Sequence, residues 1–369
     1  MPIRGGGALV EEVQSQGLCV DCGGCVGLCP YFRSHKGRVA KLFECMVEKG
    51  RCHAHCPKAE VDLEEISQKV VGTTYTAAPA GTIRSVLKAR AGERMKGRGS
   101  YQNGGTVSSL VALAFEGGHI DAAALTDRKG LVPEPKVVTD VEGALACASS
   151  KYMAAPTMAA VYEAVETGYS RIAMVGTPCQ LTALGQMRLN ALGHYASDSI
   201  ALSIGLFCTW SLDTVALMKI TQGRLETAEI TGMEVTPPPN AHFSFFTSKE
   251  PVHFPLDEVR AAIPEGCLVC PDMTAEFSDL SVGANEVDTA WNTVLVRTEK
   301  GEALLREAVA AGYLETAMME TPEVDGLLAA SFAKKRRTFS KVREMGLLNS
   351  DEGASAFRLS PELVEEILG

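Results

Sequence analysis

Aromatic residues are scarce, at 6% of the chain with two tryptophans, and no apolar run reaches membrane-spanning length. The most apolar window, Ile200 to Met218, is broken by Ser203, Thr209, Ser211 and Asp213, so it falls short of the roughly 20 apolar residues a spanning helix needs. Positive charge is also in short supply. Lysine and arginine number 35 against 45 acidic residues, a net charge of −10, which argues against the concentrated positive face of a nucleic-acid binder. No long polar tract is present, and 46% hydrophobic with 22% charged residues is the composition of an ordered globular protein. A secretory signal is lacking too. With twelve cysteines, that predicts a cytoplasmic, reducing setting in which thiols serve as metal ligands rather than disulfides.

Seven of those cysteines fall within the first 56 residues. The run Cys19-Val-Asp-Cys22-Gly-Gly-Cys25-Val-Gly-Leu-Cys29-Pro30 has the C-x2-C-x2-C-x3-C-P spacing of bacterial ferredoxins, in which three thiolates grip one cubane and the fourth reaches another. Gly23 and Gly24 allow the tight turn that this requires, and Pro30 and Pro57 stop helix from continuing. A zinc knuckle or a disulfide framework fits the spacing less well. The first cluster set is Cys19, Cys22, Cys25 and Cys56. The second, Cys29, Cys45 and Cys52, lacks one ligand. It holds a three-iron form or recruits Glu48, His53, His55 or an outside group, unless the histidines are solvated linker residues.

At 369 residues the chain suffices for two or three units of ~100–200 residues. After an acidic helix-like stretch, Val61 to Ser67, the Thr-, Ala- and Pro-rich segment Gly72 to Gly81 marks a boundary. Beyond it the pattern alternates. Strands are expected at Ile83–Arg90, Ile120–Thr126, Lys136–Asp140, Arg171–Val175 and Ile200–Phe207, with helices at Val107–Phe115, Met158–Glu166 and Leu181–Leu192. Such alternation predicts an α/β core. Thr236-Pro-Pro-Pro239 and His242 to Thr247 read as a loop and strand of a small antiparallel addition. Helical periodicity returns at Gly301–Ala311 and Val324–Met345. The basic run Lys334-Lys-Arg-Arg337 there reads as a solvated helix face or as a docking patch for an acidic partner or an anionic coenzyme.

Two features of the core carry chemistry. The turn Gly104-Gly105-Thr106 feeds a helix, leaving N–H groups and hydroxyls at the positive end of its dipole, which is either an ordinary cap or an anion site suited to a nucleotide pyrophosphate. Cys179 and Cys208 end successive strands, where ligands of open α/β sheets gather. Together with Cys267-Leu-Val-Cys270-Pro271 they form a four-thiolate set for a further cubane, a zinc site with the same ligands, or inert thiols beside one exposed C-x2-C. Cys147 has no spaced partner and reads as a small buried hydrophobe.

From about Thr74 to Gly312 the chain resembles the β subunits of coenzyme F420-reducing hydrogenases and related formate dehydrogenases. The blocks carrying the resemblance are Gln102-Asn-Gly-Gly-Thr-Val107, Ser150-Lys-Tyr152, Val175-Gly-Thr-Pro-Cys-Gln180, Ile204-Gly-Leu-Phe-Cys208, Cys267-x2-Cys-Pro-Asp272 with Thr274-Ala-Glu276, Ser281-Val-Gly283 and Trp291-Asn-Thr-Val-Leu-Val-Arg-Thr298. Asn103 and Asn285-Glu286-Val287 depart from the usual family residues.

The resemblance implies three units. These are a ferredoxin-like 4Fe–4S domain over 1–72, a mixed α/β core over 73–312 that binds FAD and a 4Fe–4S cluster, and a helical extension over 313–369. It further implies that Cys179, Cys208, Cys267 and Cys270 ligate the core cluster and that Gln102, Asn103, Gly104, Gly105, Thr106, Ser150, Lys151, Tyr152 and Thr177 contact FAD. The implied protein is an iron–sulfur flavoprotein oxidoreductase with two or three 4Fe–4S clusters. It exchanges hydride with coenzyme F420 or NAD(P)H and relays single electrons to partner subunits of formate dehydrogenase, hydrogenase or heterodisulfide-reductase type. No catalytic acid or base is required for the hydride step. A non-flavin electron-transfer module and a stand-alone reductase of an organic substrate are the alternatives.

Overall fold

The computed structural model describes residues 3–189, 192, 197–226, 230–236, 241–349 and 355–369. Its centre is an eight-stranded mixed sheet. The strands are β1 (Ser85–Ala91), β2 (Ala122–Lys129), β3 (Val132–Val138), β4 (Ile172–Gly176), β5 (Ile200–Leu206), β6 (Leu280–Ala284), β7 (Asn292–Val296) and β8 (Leu314–Ala317). They lie in the order β8-β1-β7-β6-β5-β4-β2-β3. The run β6-β5-β4-β2 is parallel. β3 closes one edge antiparallel, and β7, β1 and β8 extend the other.

Every residue of β4 and β7 is buried, because a strand covered on both faces must be apolar throughout. The pleat divides β2 and β4 between two cores. Ala123, Leu125, Ala173 and Val175 pack toward α1 (Thr106–Glu116), whereas Ala122, Ala124, Ile172 and Met174 pack toward α2 (Met158–Thr167) and α3 (Pro178–Leu189). The helix expected from Leu181 thus starts at Pro178, whose ring suits a first helical turn, and residues 190–191 lie outside the described residues. The loop at 237–239 also lies outside them. Strand His242–Phe246 does form, flanked antiparallel by Gly232–Val235 and Val252–Pro255.

The amino-terminal stretch holds a hairpin, Phe32–His35 with Arg38–Lys41, between short helices. It is not a detached unit. Leu9, Val13 and Phe32 share one buried cluster with Phe277, Phe339 and Phe357. The carboxyl-terminal part folds back in turn: after α4 (Thr321–Glu344), strand Phe357–Arg358 pairs parallel with Val61–Asp62. The boundary placed at residue 312 falls ahead of β8, which is part of the central sheet. Its sequence, Leu-Glu-Thr-Ala, is too short and too polar to announce an edge strand.

Candidate redox site

Cys179 opens α3 directly after β4, Cys208 follows β5 by one residue, and Cys267 and Cys270 come from the turn before β6. Cys179 and Cys208 therefore lie beyond the carboxyl ends of parallel strands, and the segment carrying Cys267 and Cys270 is brought to the same end where Cys208 N donates to Met273 O at 2.8 Å. Cys208 is close enough to Cys267, Cys179 and Cys270 for their charges to act on it. Donors are aimed at the sulfurs. The Ser211 hydroxyl lies 3.2 Å from Cys267 Sγ, its N–H donates to the same atom at 3.5 Å, and the Thr177 hydroxyl lies 3.3 Å from Cys179 Sγ. Burial pushes the Cys179 thiol up to about 12, helped by Cys270, so an empty, ionised set is unfavourable and a cation is what would stabilise the thiolates.

The front cysteines lie close enough together for their charges to interact both within and between the two expected sets. Cys22 feels Cys56, Cys179 and Cys19, and Cys25 feels Cys22, Cys19, Cys56 and Cys52. Cys52 feels Cys29 and Cys45 instead. The Gly24 N–H donates to Cys22 Sγ at 3.4 Å, and a pocket lined by Cys19, Cys22, Gly23, Gly24, Cys25 and Cys56 lies among these thiols. Among the described residues no three His, Cys, Asp or Glu side chains close around a single metal-ion position. A cubane, with one thiolate at each of four corners, takes wider sets than one ion does.

The two histidines are not solvated linker residues. His53 and His55 are 2% and 0% exposed. His53 Nε2 pairs with Glu12 at 3.2 Å and His55 Nδ1 with the Tyr162 hydroxyl at 2.9 Å; burial holds His55 down at about 3. Both rings are thus taken up by packing, while Glu48 stays exposed.

The residues suggested for a nucleotide split into two groups. Gly105 takes a left-handed φ of 76° and caps α1, and both glycines pack tightly against protein. A Cβ on Gly104 would meet Asn292 N at 2.8 Å, and one on Gly105 would meet the Tyr101 ring at 2.6 Å. Thr106 donates its N–H to Asn292 Oδ1 and its hydroxyl to Ala89 O. Asn103 sits half-buried in the same turn.

Gln102 turns the other way, toward the second group. It donates to Met233 O at 2.9 Å and accepts from Ser150 N at 2.8 Å. Tyr152 accepts from Val235 N. Lys151 donates to the Cys147 and Ala148 carbonyls, and burial lowers it to about 8. From there the chain leads to the thiols: Leu212 N donates to Tyr152 O, next to the Ser211 that touches Cys267.

Three buried lysines, two of them from the run read as a solvated or docking face, stand beside the thiols instead. Lys334 and Lys335 are 4% and 0% exposed, so only the Arg336-Arg337 half of the basic run faces outward. Lys334 Nζ donates to the carbonyls of Cys208 and Asp272 at 2.8 and 2.7 Å. Lys335 pairs with Glu276 at 2.9 Å. Lys58, also buried, donates to Val269 O at 2.8 Å. The reason is α4 itself, whose 24 residues cross the back of the cysteine set and turn this face inward. The adjoining Arg297 is 1% exposed and spreads its guanidinium over Ala80 O, Thr82 O, Thr274 and Ser281.

A parallel-centred sheet with partly buried thiol sets gathered beside its strand ends is a framework suited to redox centres. Comparison with known proteins narrows this. The profile for the N-terminal part of the coenzyme F420 hydrogenase/dehydrogenase beta subunit matches residues 86–162, and that for its C terminus matches 169–322. A subunit of the F(420)H(2) dehydrogenase of Methanosarcina mazei is 30% identical over 79% of this chain and 83% of its own length. The beta subunit of the coenzyme F420 hydrogenase of Methanothermobacter thermautotrophicus is 28% identical, covering 72% of this chain and 98% of its own. A chain of the xenon-derivatized F420-reducing NiFe hydrogenase complex of Methanosarcina barkeri superimposes with a TM-score of 0.67 at 25% identity, covering 72% of this chain and 93% of that one. The chain belongs to the family of coenzyme F420 hydrogenase/dehydrogenase beta subunits. Among the described residues no helix is long and apolar enough to cross a membrane.

Proposed function

We propose that the protein is an electron-transferring iron–sulfur flavoprotein subunit that exchanges hydride with a soluble carrier, coenzyme F420 or NAD(P)H, and passes single electrons to partner subunits. The observation that carries this reading is the adjacency of two thiol sets. Cys22 of the front set is acted on by Cys179 of the core set, so two clusters held there would be neighbours. The core set would hold one 4Fe–4S cluster, Cys19, Cys22, Cys25 and Cys56 a second, and Cys29, Cys45 and Cys52 a third with a ligand of another kind. Hydrogen bonds from Ser211, Thr177 and Gly24 to the sulfurs fit thiolate ligands, because such donors stabilise the charged form.

FAD would lie against Gln102, Ser150, Lys151 and Tyr152, with Thr177 on the side toward the thiols. Bound there, it supplies the exchange between two-electron hydride and one-electron carriers. The protein's share is to bind and orient. Lys151 offers a cation to an anionic ligand, and Gln102 and Tyr152 fix the adjoining strand. Gly104, Gly105 and Thr106 contribute by setting the direction of α1, since the polar groups of Thr106 are spent on Asn292 and Ala89.

Anaerobic purification with iron, sulfide and flavin counts tests the proposal, followed by titration with reduced F420, NADH and NADPH. About twelve irons are expected for three clusters and about eight for two, at four irons each. Zinc in place of iron, or flavin absent or unreduced by every donor, would overturn it.

A further inference from the structure

Lys58 and Lys334 are almost fully buried, yet among the described residues neither has a carboxylate within ion-pair distance; their acceptors are carbonyls of Val269, Cys208 and Asp272. Lys335, one residue from Lys334, shows the ordinary solution, with Glu276 at 2.9 Å. A buried ammonium without a counter-charge is strongly disfavoured by lost hydration. What surrounds these two cations is sulfur, together with carboxylates beyond ion-pair distance: Asp272 beside both, and Glu276 in the pocket that Lys58 lines. Lys58 lines both the pocket of the front set, with Cys19, Cys22, Cys25 and Cys56, and the pocket that contains Cys179 and Cys270. Its charge acts on Cys56 and on Cys179. Lys334 acts on Cys208 and is in turn acted on by Cys270, Cys208, Asp272 and Cys267. The front cysteines are not among these partners.

We propose that Lys58 and Lys334 are fixed counter-charges of the thiolate-bound clusters, Lys58 shared by the front and core clusters and Lys334 belonging to the core cluster alone. Both are positioning residues that raise reduction potential. The argument is electrostatic: a cluster gaining one electron gains one negative charge, and a cation held nearby in a low-dielectric interior favours that form. The step transfers an electron and no proton. Lys58, placed between the sets, raises both potentials in the same direction. This inference rests on the iron–sulfur reading above.

The test is a potentiometric titration of the anaerobic full-length protein, followed by low-temperature electron paramagnetic resonance, with the core signal assigned by its loss in Cys267→Ser. Lys334→Met is expected to lower the potential of the core cluster only, and Lys58→Met to lower both. A shift of about tenfold in the reduction equilibrium corresponds to ~59 mV for a one-electron couple. Lys58→Arg and Lys334→Arg, which keep the charge, should stay near the parent values. Unshifted potentials in both methionine variants, or equal shifts in the arginine variants, would overturn the proposal. Should a methionine variant lose its iron, retention in the matching arginine variant supports a role for charge, and loss from both defeats it. Parent protein without any iron–sulfur signal is a different result, which defeats the iron–sulfur reading itself.

Discussion

Removing the ammonium of Lys335 exposes how much of the fold around the cysteine set depends on one buried charge pair. Its Nζ stands 2.9 Å from Glu276, with side chains 0% and 3% exposed, and it also donates to Ala78 O and lies 5.0 Å from the centre of the Tyr75 ring. Lys335→Met keeps the bulk and strands the carboxylate. Breaking a buried pair from one side costs ~3–5 kcal/mol, mostly as the uncompensated charge. At ~2.1 cal/mol/K per residue, 369 residues give an unfolding entropy near 0.8 kcal/mol/K, so the melting temperature should fall by ~4–6 °C. The pH dependence identifies the cause. Burial already raises Glu276, with Lys335 acting against it, and losing Lys335 raises it further. A carboxyl that binds its proton more tightly folded than unfolded loses stability as pH rises through the folded pKa and regains it as pH falls. The deficit of Lys335→Met should therefore shrink on acidification, and Glu276→Gln in the same chain should restore most of the loss at neutral pH. Anaerobic calorimetry at one scan rate across a pH series reads both effects. A deficit independent of pH and untouched by Glu276→Gln would show that the pair is not what holds this region.

Three further outcomes are expected. Cys267→Ser should lower the iron content by about four per chain while the front clusters keep their signals, checked by iron analysis and resonance spectra. Asp213 caps helix Thr214–Thr221 by accepting from Ala216 N at 2.7 Å and pairs with Arg38 at 2.9 Å. Burial pushes its carboxyl up, but Arg38 and the backbone N–H groups outweigh it and hold it low. Asp213→Ala should thus cost ~1 kcal/mol above the unfolded pKa, with the difference fading as pH falls through the folded one, measurable from melting curves. Gly266→Ala would set a Cβ 2.2 Å from the Leu18 carbonyl, forcing the front unit off the core, so limited proteolysis should cut ahead of Cys19 faster than in the parent.

Period and spacing carried most of the fold. Apolar runs such as Ile172–Gly176 and helical recurrence such as Leu110, Val111 and Ala114 are local signals, and the strands and helices fall within a few residues of where those patterns put them. The grouping expected for the cysteines rests on the same kind of local signal, spacing and strand ends. Other features were invisible because their causes are distant. The run Lys334-Lys-Arg-Arg337 looks like a surface face until Cys208, Asp272 and Glu276, from other parts of the chain, are brought against it. Gly104 and Gly105 look like a phosphate turn, and Asn292 from β7 and Tyr101, packed against them, show a second reason why only glycine fits there. The imidazoles of His53 and His55 gave no sequence hint of Glu12 or Tyr162. β6, β7 and β8 had no counterpart among the expected strands, and β8, with four residues and one apolar face, is an edge strand with little local signal.

The packing between the amino-terminal unit and the core bears on how a relay would work. A ferredoxin unit on a flexible tether would shuttle, and electron transfer would wait on its return. Here two glycines are required for close approach between the two parts: Cβ atoms on Gly23 and Gly266 would come within 2.4 Å of Pro156 O and 2.2 Å of Leu18 O. Cys22 O accepts from Met158 N at 3.1 Å, and Gly24 O accepts from the Tyr162 hydroxyl at 3.0 Å. Backbones held this tightly in a close-packed interior have two ways to respond to strain, to stay or to come apart, with little between. The front cysteines are therefore fixed against Cys179 by the same α2 and α3 that pack on the sheet. In the proposed relay the inter-cluster step would then be set by a constant distance and by the charges of Lys58 and Lys334, not by domain motion. Raising solvent viscosity should leave that step unchanged, and a rate that fell in proportion to viscosity would place the front unit on a moving arm after all.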